Sequence, residues 1–161
     1  MGTTLNNVKG EMIMDKKMEK FVLDILADHK ILTLATLRED GYPQANTVSY
    51  ANDGLTLYFL TDSSSSKVTN LKKCNKVSLT VDREYEDWTK IKGVSMGGTA
   101  EILANPEEIQ RAMGFLVQKF PAFQQMPEPE VPPAIIKITP KVISVLNYEI
   151  EFGHTELITD I

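Results

Sequence analysis

Residues 31–61 read ILTLATLREDGYPQANTVSYANDGLTLYFLT, short apolar runs separated by two glycine-bearing turns. The run ILTLATL (31–37) is aliphatic and β-branched, and the Asp40-Gly41 that follows is a hairpin turn signal. QANTVSY (44–50) alternates in polarity and runs into Asn52-Asp53-Gly54, where Asn and Asp tolerate left-handed backbone. LTLYFLT (55–61) supplies a third strand. Three strands joined by two tight turns predict an antiparallel meander. The absence of a βαβ unit argues against a dinucleotide-binding fold.

Working outward, Met18, Phe21, Val22, Ile25 and Leu26 recur at helical spacing. They predict an amphipathic helix over 16–29, with Asp15 as its N-cap and His29 as its C-terminal residue rather than a ligand. Beyond the meander, 67–74 reads as a short helix with Val68 and Leu71 on one side, and KVSLTV (76–81) as a fourth strand. A fifth runs from Ile91 to Leu103, where Gly93, Gly97 and Gly98 require a bulge or a close approach of another group. Asn105-Pro106-Glu107-Glu108 combines an N-cap, a first-turn proline and acids facing the dipole, and Ile109, Met113, Leu116, Val117 and Phe120 give that helix its stripe. PAFQQMPEPEVPP (121–133) predicts an extended crossing, and AIIKIT (134–139) and KVISVLNY (141–148) two closing strands with Pro140 at the bend. The sum is a mainly β (α+β) chain: a six- to seven-stranded antiparallel β-barrel with three peripheral helices. It forms a single domain over 15–161, preceded by an N-terminal arm over 1–14.

Composition bounds the function. With 161 residues, 42% hydrophobic and 24% charged, one core suffices without metal or disulfide staples. A net charge of -5 argues against nucleic-acid binding, which needs clustered positive charge. The lone Cys74 excludes an internal disulfide and fits a reducing compartment. No apolar run approaches the ~18 residues of a membrane span. The start lacks the apolar core of a secretory signal, so the expectation is a cytoplasmic protein without a membrane partner.

Few residues suggest side-chain catalysis. Glu84, Glu86 and Asp87 fall in a charged loop expected to face solvent, no G-x-S-x-G elbow occurs, and two distant histidines give no metal-ligand spacing. No catalytic residue and no metal site are assigned. Trp88 reads as strand-entrance packing and His154 as a tail residue docking on the barrel, although either has ligand chemistry. The local candidate is FLTDSSSSK (59–67): a strand ending at Thr61, a hydroxyl-rich loop, then Lys67 opening a helix. Backbone N–H groups, hydroxyls and an ammonium at a helix start suit an anion such as phosphate, although the G-x-x-x-x-G-K loop is absent. On local chemistry alone a flexible polar loop stays open.

The ordered set LATLREDGYPQANTVSY (34–50), LYFLTDSSSSKVTNLKKCNKVSLTV (57–81), GGTAEIL (97–103), IIKITPKVISVLNY (135–148) and FGHTELIT (152–159) resembles the pyridoxamine-phosphate-oxidase-like flavin-binding split barrels, in their small general-stress-type form. The resemblance implies an FMN-binding flavoprotein and homodimer with sites at the interface. It also implies an FMN-dependent oxidoreductase of unknown substrate, exchanging electrons with a small-molecule donor or acceptor. In the family's phosphate loop, Thr61, Ser65 and Lys67 match the threonine, serine and lysine, while Ser66 replaces an arginine; Leu60 precedes the threonine. Asn46, Thr47, Val48 and Ser49 occupy the strand that lines the flavin ring in relatives, with Asn46 replacing a frequent arginine. True pyridoxamine-phosphate oxidase activity is not expected, because the arginine-leucine-x-proline segment has no counterpart in YEIEFGHTELITDI. The alternatives are a non-catalytic flavin-binding or stress-related module, or the same barrel holding haem or a deazaflavin.

Overall fold

The computed structural model describes residues 12–161; the expected N-terminal arm therefore lies, over 1–11, outside the described residues. Helix α1 (Lys16–Asp28) starts where Asp15 accepts from the Met18 amide, and it buries Val22, Ile25 and Leu26. Strands β2 (Ile31–Leu37) and β3 (Pro43–Ser49) form the first hairpin, in register from Ile31↔Ser49 to Leu37↔Pro43. Before them, β1 (Met12–Ile13) pairs in parallel with the last strand, β9 (Thr155–Asp160).

The expected three-stranded meander is not what forms. The second hairpin joins β4 (Ala51–Asp53) to β5 (Thr56–Thr61), and among the described residues β5 finds its other partner in β8 (Ala134–Asn147) rather than in β3. The reason lies at Tyr50. Its fully buried phenol donates to the Leu26 carbonyl at 2.8 Å and its amide donates to the Lys30 carbonyl at 3.2 Å. The chain is thereby pinned to the end of α1 and turns a corner between β3 and β4.

Helix α2 (Ser66–Lys73) follows, then β6 (Lys76–Val81), a 3₁₀ turn at Trp88–Lys90 and β7 (Lys92–Ile102). Helix α3 (Pro106–Lys119) is capped by Asn105, whose side chain accepts from the Glu107 and Glu108 amides. Residues Pro121–Gln125 form a 3₁₀ helix, so the crossing to β8 is extended only in its second part. The two closing strands expected on either side of Pro140 are one strand of 14 residues, β8. Pro140 sits opposite Gly98 at an irregularity in the β7–β8 ladder, the kind of position at which a sheet tolerates proline.

The strand order β1-β9-β8-β7-β6-β2-β3, with β4-β5 added beside β8, gives a curled, mainly antiparallel sheet of nine described strands. Leu57 and Phe59 of β5 point into the main core with Leu32, Leu34, Leu79, Met96, Ile136 and Ile138. Tyr58 points the other way, toward Ala112 and Leu116 of α3. Burial on both faces explains why LTLYFLT is almost continuously apolar.

The Tyr50 corner also holds a cation. Lys119, at the end of α3, donates to the same Leu26 carbonyl at 2.9 Å and lies 4.0 Å from the Tyr50 ring centroid. Burial, and then the nearby Lys30 charge, push its ammonium down to about 8. A base depressed below its unfolded value of 10.5 makes the protonated form the costly one. That cost is present below about pH 8 and is relieved as pH rises toward 10.5. The urea midpoint of the wild type relative to Lys119→Met is therefore expected to climb between about pH 7.5 and 9.5; parallel pH courses would remove Lys119 as the source.

Candidate functional site

The serine run is an ordered turn. Asp62 Oδ1 accepts from both the amide and the hydroxyl of Ser64 at 2.7 Å, and the Ser65 amide donates to the Asp62 carbonyl at 3.0 Å. These bonds to Ser64 hold the Asp62 carboxyl below its usual range. Thr61 Oγ1 and Ser65 Oγ lie 3.1 Å apart, bridging the end of β5 to the start of α2. Ser65 occupies the N-cap position, yet its hydroxyl faces Thr61 and does not cap the helix. The first turn of α2 carries no acid, whereas Asp15 and Asn105 close the starts of α1 and α3. Lys67, half-buried in that turn, forms no ion pair among the described residues.

The Thr61–Ser65 hydroxyl pair stands at uncapped helical N–H groups, with Lys67 in the same turn, a donor set that fits a phosphate monoester. The absent arginine leaves one cation for a group of up to two negative charges. Ser66 is exposed and opens on a neighbouring cleft with Arg38, Gln44, Thr69 and Asn70. Arg38 is held there by Asp40, its Nη2 2.7 Å from Oδ2, and does not replace the missing charge at the cup.

The β3 candidates divide by strand alternation. Asn46 and Val48 point inward, and Thr47 and Ser49 are exposed on the outer face. Val48 is packed in the core, which leaves its backbone as its ligand-facing part. Asn46 Oδ1 is buried with no hydrogen-bond partner. A bare buried acceptor asks for a donor, and a ribityl hydroxyl supplies one, whereas a phosphate oxygen would need the amide turned to present its N–H groups. Leu60 turns away from Thr61's hydroxyl and packs toward α3. The structure brings Thr61 and Ser65 into contact, places Lys67 in the helical turn that follows, turns Asn46 and Val48 inward, and sets Thr47 and Ser49 outward and Leu60 toward α3.

Asn70 emerges only from the structure. Buried on α2, it donates to Thr36 Oγ1 at 3.0 Å and Gln44 Oε1 at 3.2 Å, fastening the helix to β2 and β3. Its position between Val68 and Leu71 on the buried side was the available signal. Trp88, expected to pack, is 66% exposed. His154 is half-buried, with Nε2 2.6 Å from Glu156 Oε1, as a docked tail residue would be. His29 caps α1; its Nδ1 donates to the Ile25 carbonyl at 2.8 Å, and Nε2 is buried without a partner.

Outward residues of the central strands line up in two rows across the ladder. One is Thr47, Thr33, Thr80, Ser95 and Ser144; the other is Ala45, Ala35, Ser78, Gly97 and Val142. Neither row contains a charge.

Among solved structures, a haem-binding protein from Mycobacterium smegmatis superposes with a TM-score of 0.76 at 17% identity, covering 91% of this chain and 60% of its own. This chain thus spans about three fifths of that protein's length. A conserved hypothetical protein from Mycobacterium tuberculosis gives 0.71 at 22% identity, covering 88% and 89%. HutZ, the haem storage protein of Vibrio cholerae, gives 0.62 at 15% identity, covering 76% and 89%. These likenesses establish the fold. Comparison with curated proteins finds no match. The pyridoxamine 5'-phosphate oxidase family profile matches residues 18–147, most of the barrel and its phosphate-cup candidate, and the chain belongs to that family.

Proposed function

We propose that this chain binds FMN over a single domain spanning 15–161 and acts as a flavin-dependent oxidoreductase. The observation that carries the reading is the Thr61–Ser65 hydroxyl pair at the uncapped, acid-free start of α2, with Lys67 unpaired beside it. Thr61, Ser65, Lys67 and the first amides of α2 hold the phosphate, and Asn46 accepts from the ribityl chain. FMN supplies the electron-transfer chemistry when bound, so no acid–base dyad is required of the protein. Asn70 contributes indirectly, by fixing α2 against the sheet.

The charge-free outer rows support a homodimer. In a chain that is 24% charged, two uncharged rows across the sheet make a face that can pair with a second copy without desolvating a charge. The electron partner is a small molecule, and a cytoplasmic setting fits the single cysteine. No helix among the described residues is long and apolar enough to cross a membrane.

A haem in the same fold is the second reading, favoured by His154 in a cleft with Met18, Phe21, Val145 and Ile150, and by haem-binding structural neighbours. His154 Nε2 is already engaged by Glu156 Oε1 at 2.6 Å, whereas the start of α2 beside the Thr61–Ser65 pair is uncapped, so flavin ranks first. The purified protein is expected to show the two visible flavin bands, to bleach with reduced nicotinamide under anaerobic conditions, and to sediment as a dimer. A colourless protein that takes up no added FMN would sink the assignment. A Soret band after haem addition, without flavin uptake, would install the second reading.

A further inference from the structure

A second cleft, of about 400 Å³, opens on the opposite side of β5 from the main core. It is lined by Leu60, Met113 and Phe123 and by the segment from Met126 to Pro133. The volume falls within the range of sites for small molecules. Most of the lining is carbon, with two flexible thioethers able to repack around a ring.

The polar atoms of this cleft are biased toward accepting. Pro127, Pro129 and Pro133 have no N–H, so at these positions the wall has no backbone donor. Asp62 and Glu128 add two carboxylates, and no basic side chain contributes to the lining. Asp62 Oδ1 is engaged by Ser64, while Oδ2 makes no hydrogen bond among the described residues. Thr61, the hydroxyl at the rim, is already engaged with Ser65. An anion entering here would meet two like charges. A ligand with an apolar body and a cationic end would meet a lining that is mostly carbon, with the Phe123 ring and the carboxylates of Asp62 and Glu128 to receive the charge. The prolines restrict their segment, so the wall loses little freedom when a ligand enters.

We propose that the cleft between α3, the end of β5 and the 126–133 segment is a binding site for an apolar organic cation of one or two rings, an aryl-alkyl ammonium. It is separate from the phosphate cup and does not depend on flavin being the cofactor, although both sites touch Thr61 and Asp62.

The test is calorimetric titration of the full chain with three probes sharing one ring system: 2-naphthylmethylammonium, 2-naphthalenemethanol and 2-naphthoate. The ammonium is expected to bind best and the carboxylate at least about tenfold more weakly. Glu128→Gln should weaken the ammonium by roughly threefold to fivefold and leave the alcohol unchanged. Met113→Trp, checked for folding by circular dichroism, should abolish binding of all three by filling the cleft. FMN uptake by Glu128→Gln should equal that of the wild type, which separates this site from the cofactor reading. Equal affinity for ammonium and carboxylate, no binding of the ammonium, or an ammonium affinity indifferent to Glu128→Gln would overturn the proposal.

Discussion

Gly98→Ala is expected to destabilise the protein by about 3 kcal/mol, lowering the melting temperature by roughly 6–12 °C for a domain of this size. A Cβ built on Gly98 would lie 2.4 Å from the Thr139 carbonyl oxygen and 3.1 Å from Pro140 Cα. Both obstacles are backbone. They belong to β8, which is held by β7 and, through Thr139's neighbour Ile138, by β5, so the strand cannot retreat without loosening two ladders. Gly114 is the control. Nothing lies within 4 Å of a Cβ there, and its exposed helical setting predicts a gain of about 0.5–1 kcal/mol on substitution by alanine. Thermal denaturation of the two variants should move in opposite directions. A Gly98→Ala protein melting with the wild type would show that the β7–β8 irregularity has slack.

The second large effect concerns the phosphate cup. Lys67→Ala should weaken FMN binding by roughly 10- to 100-fold, the scale of a lost charge-assisted hydrogen bond. Riboflavin, which lacks the phosphate, should bind wild type and variant alike, and this contrast ties the loss to the phosphate. Ser66→Arg, adding a second positive charge at the start of α2, should tighten FMN. Fluorescence titration reads all of these. A Lys67→Ala protein that lost FMN and riboflavin equally would have lost its ring pocket, and one that lost neither would place the phosphate elsewhere.

The strand runs, the caps at Asp15 and Asn105 and the Asp40-Gly41 hairpin were legible because each is decided within a few residues. Pairing was less so. That β5 leaves β3 for β8 follows from the Tyr50 corner, a contact between a strand end and a helix end that no local pattern encodes. Strand β9 was hidden because TELITD fully buries only Ile158, which erases the alternation that marks a half-buried strand. At the candidate site, the strand-loop-helix order points to Thr61 and Lys67, and Ser65 enters only through the family resemblance; the Thr61–Ser65 contact is what the structure adds. The stretch Asn46 to Ser49 divides between the two faces of β3, because consecutive strand residues face opposite ways. Asn70 escaped notice because an asparagine in a helix ordinarily reads as solvent-facing, and its partners Thr36 and Gln44 lie far back in the chain.

The dependence of β5 on β8 also sets an order in time. As the chain leaves the ribosome, β5 is complete by residue 61, but its partner begins only at Ala134. Until then one side of an apolar strand has only the three residues of β4 on its opposite edge and an open row of amides and carbonyls on the other. Such an edge invites pairing with whatever strand arrives first. The nascent protein is therefore most vulnerable to association with other chains during synthesis of α2, β6, β7 and α3. That vulnerability ends when β8 docks on β5.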